Sequence, residues 1–159
     1  MLCKDPFSII VDTREQMPWE FGLHVTSHQK LDTGDYTIKG LEHLLCIERK
    51  RSVSEICNNV TEPRFKDVLM RMGKIPYSFM LFEFDLQEVY SFPVGSEVPK
   101  KKWDQLKISA KYVLKYLTEA QLNYGIHILY CGDAENAEKM AVSIMKRVYE
   151  KHGTDIQQI

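Results

Sequence analysis

The chain has almost no net charge: 21 Lys and Arg stand against 22 Asp and Glu, for a formal charge of −1 and a pI near 6.5. That balance excludes a polybasic binder, whose affinity comes mainly from neutralising phosphates. It leaves nucleic acid open, because acids gathered at a metal site cancel basic residues elsewhere in the count. Cysteine is sparse, and Cys3, Cys46, Cys57 and Cys131 show no Cys-x-x-Cys spacing. A structural zinc site needs clustered Cys or His ligands, and nothing near His24 and His28 completes a set. The four cysteines read as reduced, largely buried thiols of an intracellular protein. No stretch is long or apolar enough to span a membrane, and residues 1–6 lack the apolar core of a signal peptide. A cytoplasmic protein without membrane association is expected. A Gly-rich phosphate loop of the Walker type is also missing, so no nucleotide cofactor is expected. Repeats, low-complexity segments and internal linkers are absent.

What remains is 159 residues with 44% hydrophobic side chains, enough for one domain around one core. β-prone runs at residues 7–11, 36–39, 44–48, 77–84 and 126–131 predict strands, with residues 13–30 and 91–102 as loops. Ser52 or Ser54 offers an N-cap for a helix through Ile56, with Glu55 near its positive end. Residues 64–72 have helical spacing and stop at Gly73, read as the residue after the helix. A long amphipathic helix is expected from Trp103 to about Asn123, with Leu106, Ala110, Val113, Leu114 and Leu117 on one side. A final helix over 134–152 would bury Ala137, Met140, Ala141, Ile144, Met145 and Val148. Strands first, then alternating helix and strand, predict a three-layer α/β domain with a central mixed sheet flanked by helices.

Three clusters of acidic and basic residues carry the chemistry. Gly34-Asp35 precedes the 36–39 strand, and Glu48-Arg49-Lys50 ends the next one. Side chains alternate along a strand, so Glu48 and Lys50 share a face and Arg49 takes the other. If the two strands pair, Asp35, Glu48 and Lys50 converge. Two carboxylates suit Mg²⁺ or Mn²⁺, hard ions that keep several waters, and a lysine beside them can hold or help deprotonate an attacking water. Gly-Asp is also a common turn pair and Glu-Arg-Lys a common solvated face, so the third cluster matters. In Val11-Asp12-Thr13-Arg14-Glu15, Asp12 stands at the carboxyl end of a buried strand, the usual site edge in α/β sheets.

Together, Val11-Asp12-Thr13-Arg14-Glu15, Leu31-Asp32-Thr33-Gly34-Asp35-Tyr36 and Ile47-Glu48-Arg49-Lys50 resemble the nuclease domain of the XPF/Mus/Hef structure-specific endonucleases. The order of later elements agrees, so the resemblance covers roughly residues 7–151. It implies a restriction-endonuclease-like fold and metal-dependent cutting of branched, flapped or single-strand-containing DNA. It also implies Asp35 and Glu48, with Asp12, as metal ligands and Lys50 as the water-activating lysine. Arg49 would support the site or contact a phosphate, Glu15 would be a further acid of the pocket, and Arg14 would pair with one of these acids. The family's pattern has three residues after Glu-Arg-Lys and then Asp. Here Ser54 stands there and Glu55 comes one position late, a rotation of about 100° on a helix.

Larger relatives carry tandem helix-hairpin-helix modules, which are not found in residues 1–159. Selectivity would then come from the nuclease domain, from a homodimer or from a heterodimer partner. Compact members of this type resemble those of phages and mobile elements, for which the location would be the host cytoplasm. Substrate contacts are expected from Arg14, from Arg64, Lys66 and Arg71 on the helix near the site, and from Lys101 in the Lys100-Lys101-Lys102 run beside Trp103. A helix-anchoring Trp103 and a loop-packing Trp19 are the simpler readings of the two indoles. The alternatives to a structure-specific nuclease are a non-catalytic DNA-binding partner subunit and a sequence-specific restriction-type enzyme.

Overall fold

The computed structural model describes residues 5–156, so Cys3 lies outside the described residues. In chain order the elements are β1 (Ile9–Val11), β2 (Thr26–His28), β3 (Tyr36–Ile38), β4 (Leu45–Lys50), α1 (Val53–Val60), α2 (Pro63–Met72), β5 (Tyr77–Phe82), α3 (Leu86–Ser91), α4 (Ala110–Tyr124), β6 (His127–Tyr130) and α5 (Ala134–Ile156). The strands form one mixed sheet in the order β2-β1-β3-β4-β5-β6. β1 and β4 are each antiparallel to β3, while β2 runs parallel to β1, and β5 and β6 parallel to β4.

The core splits into two layers because strand side chains alternate. Cys46, Met80, Phe82 and Ile128 face α1, α2 and α4 through Val53, Ile56, Phe65, Leu69, Val113 and Leu117. Ile9, Val11, Tyr36, Ile38, Ile47 and Leu81 face α5, which buries Ala137, Ala141, Met145 and Val148. β4, β5 and β6 succeed one another in one direction, so two crossovers of the same hand put their helices on one side. The other side is left to α5. The expected three-layer α/β arrangement is present.

Several expectations at the element level are corrected. The helix expected from Trp103 is two pieces: a 3₁₀ turn at Lys100–Gln105, and then α4 from Ala110. Ser109 makes the break, being extended and accepting a hydrogen bond from Tyr112 N at 3.2 Å, which fixes the helix start. Leu106 therefore lies outside the helix. Trp103 anchors the 3₁₀ turn itself, donating from Nε1 to Val98 O at 3.0 Å. β2 falls inside the expected 13–30 loop. α3 follows β5 where no helix was expected, started by a capping box between Asp85 and Glu88.

Met140, expected in the core, is 40% exposed, because the buried stripe of α5 passes through Ala137 and Ala141 instead. Gly73 ends α2 with right-handed angles rather than as a left-handed cap. A Cβ there would stand 3.1 Å from Tyr124 Cβ, so the glycine serves the close approach of α2 to the end of α4.

Candidate active site

The topology brings the three acidic clusters to one end of the sheet. β1 and β4 both run antiparallel to β3, so their carboxyl ends lie beside the start of β3. Asp12 follows β1, Asp35 precedes β3, and Glu48-Arg49-Lys50 ends β4. Backbone bonds join the three: Asp12 N donates to Asp35 O at 2.8 Å, and Asp35 N to Ile47 O at 2.8 Å. Gly34 makes this seam. Its φ is +84°, and a Cβ would stand 2.5 Å from Cys46 Sγ, so no other residue fits before Asp35.

On the face of β4 toward α1 and α2, Asp35 Oδ2 accepts the Arg49 backbone N–H at 2.8 Å. Burial raises the Asp35 carboxyl well above its ordinary value, and the charges of Glu48 and Glu15 push the same way. Burial likewise raises Glu48, although Lys50 opposes it. Lys50 Nζ lies 3.4 Å from Glu48 Oε1 and 3.9 Å from Glu55 Oε1, above the ring of Phe65 at 5.5 Å. Glu55 reaches the cluster despite its late position. Its backbone N–H is held by the Ser52 hydroxyl while its carboxylate folds back to accept from Arg51 N at 2.8 Å. Ser54, at the place of the family's Asp, has a buried hydroxyl without a hydrogen-bond partner.

Asp12 and Glu15 take different positions. Asp12 Oδ1 accepts from Leu31 N at 2.8 Å, and Oδ2 accepts from Arg14 Nε at 2.9 Å. Burial alone would raise this carboxyl, but the bonds from Arg14 and Leu31 outweigh it and hold it below the ordinary range. The expected Arg14 pairing is thus with Asp12, and Arg14 also donates to Leu31 O at 2.7 Å. Glu15 is turned inward by a turn in which its N–H donates to Asp12 O at 3.0 Å. Its side chain is 11% exposed, and Oε2 is buried with no hydrogen bond.

Arg49 occupies the opposite face of β4 and is almost wholly enclosed. Nε donates to Glu83 Oε2 at 2.7 Å, and Nη1 donates to Met17 O at 3.0 Å and to the Tyr36 hydroxyl at 3.3 Å. Its guanidinium lies 4.9 Å from the Trp19 ring, which stacks on Tyr36 at 4.6 Å. Trp19 therefore packs the 13–21 loop, as the simpler reading expects. Glu83 is the residue that sequence reasoning missed. A single acid inside the apolar run Met80–Phe84 was the available signal.

Of the expected substrate contacts, Arg64 and Lys66 flank Phe65 at the start of α2, beside Lys50. Arg64 is 84% exposed and pairs with Glu62 at 2.8 Å. Arg71 lies about 9 Å further along the helix, and Lys101 is exposed on the 3₁₀ turn.

Among the described residues, no group of three or more His, Cys, Asp and Glu side chains is arranged to hold a metal by itself. The donors nevertheless fit a hard divalent ion. Mg²⁺ is usually held by one or two carboxylates and keeps much of its water, and Asp35 and Glu48 are raised partly by neighbouring negative charge. Glu15 Oε2 makes no hydrogen bond and lies 3.9 Å from Arg49 Nη1, on the other face of β4.

An α/β sheet of this order with its acids at the strand ends defines a restriction-endonuclease-like domain. The structure of XPF from Aeropyrum pernix has the same fold, with a TM-score of 0.65 at 17% identity over 95% of this chain and 69% of that one. XPF from Aeropyrum pernix in complex with DNA gives 0.63 at 17% identity, over 91% and 66%. The chain thus spans about two thirds of the length of those relatives. The family model of the ERCC4 domain matches residues 11–144, and the chain belongs to that family. No curated protein sequence matches it.

Proposed function

We propose that this chain is a metal-dependent endonuclease that hydrolyses phosphodiester bonds in branched, flapped or single-strand-containing DNA. The observation that carries this reading is the convergence of Asp35, Glu48 and Lys50 on one face at one end of the sheet. Family membership and the likeness to a fold solved in complex with DNA support DNA as the substrate.

In this reading Asp35 and Glu48 hold Mg²⁺ or Mn²⁺. Asp12, expected as a further ligand, has its oxygens taken by Arg14 and Leu31 and instead ties the 31–35 segment to the end of β1. Such an ion, when bound, lowers the pKa of a bound water and offsets charge on the phosphate. Lys50, kept near Glu48 and above Phe65, orients the attacking water and hydrogen-bonds the phosphate oxygen on which charge develops. Arg49 contributes from behind by fixing the 13–21 loop, and makes no phosphate contact. Arg14, Arg64, Lys66 and Lys101 are exposed cations that hold the DNA backbone, with Arg71 furthest from the centre. Selectivity beyond this domain comes from self-association or a protein partner. Among the described residues no helix is long and apolar enough to cross a membrane.

The test is a digest of end-labelled fork, flap, four-way junction and linear duplex with Mg²⁺, using Asp35→Asn as the control for contaminating nuclease. Cutting close to branch points is expected. Exclusive cutting of plain duplex at one fixed sequence would contradict the reading in favour of a restriction-type enzyme. Binding without cutting by the unaltered chain would indicate a non-catalytic subunit.

A further inference from the structure

The charge of the chain is unevenly spread. Between Glu97 and Glu119 stand six lysines, Lys100, Lys101, Lys102, Lys107, Lys111 and Lys115, against one acid, Asp104. That stretch is strongly cationic in a chain whose formal charge is −1, so the remainder is acidic. All six lysines are exposed. Exposed Arg64, Lys139 and Arg147 each pair with a neighbouring carboxylate at 2.9 Å or less. None of the six lysines makes an ion pair among the described residues. A face that keeps like charges together without partners is suited to a polyanion.

The same stretch is joined to the catalytic cluster by a row of rings. Lys50 Nζ lies 5.5 Å from the centre of the Phe65 ring. Phe65 stacks on Tyr116 of α4 at 6.0 Å, and Tyr116 meets Tyr112 at 6.4 Å. Tyr112 and Tyr116 are four residues apart and so share one face of α4, with Lys111 and Lys115 on the adjoining face. Tyr112 ends the row and is 47% exposed. Trp103 does not serve in the same way, being half-buried with Nε1 bonded to Val98 O at 3.0 Å.

We propose that the start of α4 is a binding face for the unpaired strand of the DNA substrate, with a base stacked on Tyr112 and phosphates held by Lys107, Lys111 and Lys115. The proposal rests on the nuclease reading above and names the part of the substrate held beside its catalytic centre. Unpaired bases offer a free π-face, and stacking on an aromatic ring within a cationic track holds single strands without regard to sequence. Bases in a duplex are already stacked on one another, so Tyr112 distinguishes strand state.

The test is fluorescence anisotropy of labelled oligothymidylate of about 12 nucleotides, and of a duplex of the same length, with the full chain in chelator. Tyr112→Ala is expected to weaken single-strand binding about tenfold, to leave duplex binding nearly unchanged and to keep the circular dichroism. Tyr112→Phe retains the ring and should keep the single-strand affinity. Lys111→Gln combined with Lys115→Gln should reduce the salt-dependence slope for the single strand by about 1.4. Unchanged single-strand affinity in Tyr112→Ala, an equal loss for the duplex, or an equal loss in Tyr112→Phe overturns the proposal. Cutting of fork DNA by the unaltered chain in Mg²⁺ would still uphold the nuclease reading in that case. Single-strand binding that depends on the Tyr112 ring, in a chain that cuts no branched DNA, supports the face and overturns the nuclease reading instead.

Discussion

The two faces of β4 at Glu48-Arg49-Lys50 carry the same residue types in opposite states of balance. On the α5 side, one guanidinium meets a carboxylate at 2.7 Å, a carbonyl, a hydroxyl and an indole face, and each has its partner. On the α1 side, one ammonium stands among Glu48 and Glu55, and burial and neighbouring charge push Asp35 upward. The first face is a buried ion network that holds a loop in place. The second is short of positive charge, which is the condition of a site built for a cation and a polyanionic substrate. Neighbouring residues can be given such different tasks because a strand turns consecutive side chains to opposite sides.

The largest expected effect falls on the charge-poor face. Asp35→Asn or Lys50→Ala should lower cleavage by about 10³-fold or more, while circular dichroism and DNA binding stay close to those of the unaltered chain. Asp35→Asn also removes a buried like charge, so its thermal midpoint should not fall. A midpoint loss comparable to that of a core mutation would show that Asp35 is structural.

The matched face should respond in the opposite sense. Arg49→Ala leaves Glu83 buried and uncompensated, a change that costs about 3–5 kcal/mol, read as a drop in the urea midpoint. Arg49→Lys should recover only part of this, since an ammonium cannot reproduce the two-pronged bond. If Arg49→Ala keeps full stability and loses only activity, the division between the faces fails.

The pH dependence sharpens the contrast. Asp35 and Glu48 are raised, so their folded forms favour the proton. That contribution is complete below ordinary carboxylate values and is lost as pH rises through the raised ones. Asp12 is lowered by Arg14 and Leu31, so its contribution is present above the ordinary value and lost as pH falls through the lowered one. In chelator, thermal stability should therefore rise as pH drops from neutral toward about 4 and fall again in stronger acid. Asp35→Asn should flatten the first limb. A steady decline from neutral pH in the unaltered chain would contradict the assigned directions.

The smallest effect is expected at the rim. Arg64→Ala should change stability by about 1 kcal/mol or less. Its effect on DNA should be a modest loss of affinity, with the salt-dependence slope reduced by about one.

What was legible in the sequence was local. Gly34-Asp35 and Glu48-Arg49-Lys50 lie one hairpin apart, and alternation alone separates Arg49 from its neighbours. The mixed sheet with helices on both sides followed from apolar runs and helical spacing. β2 was not legible because Thr26, Ser27 and His28 are all exposed on an edge and show no apolar alternation. The break before α4 was hidden because Leu106 continues the apolar spacing while Ser109 starts the helix. The Arg49–Glu83 pair joins residues 34 apart, and only the β4–β5 register brings them together. Asp12 was expected as a metal ligand and Glu15 as a further acid of the pocket, both from one motif. The bonds to Leu31 and Arg14, set by the 31–35 segment, are what divide them.

The most direct measurement is cleavage of a labelled flap or fork DNA by the unaltered chain and by Lys50→Ala, side by side, with Mg²⁺ and with chelator. The expected result is branch-proximal cutting by the unaltered chain in Mg²⁺ only, and DNA binding without cutting by the folded variant. Equal cutting by both proteins, or cutting that persists in chelator, would contradict the assignment of this face of β4 as a metal-dependent catalytic centre.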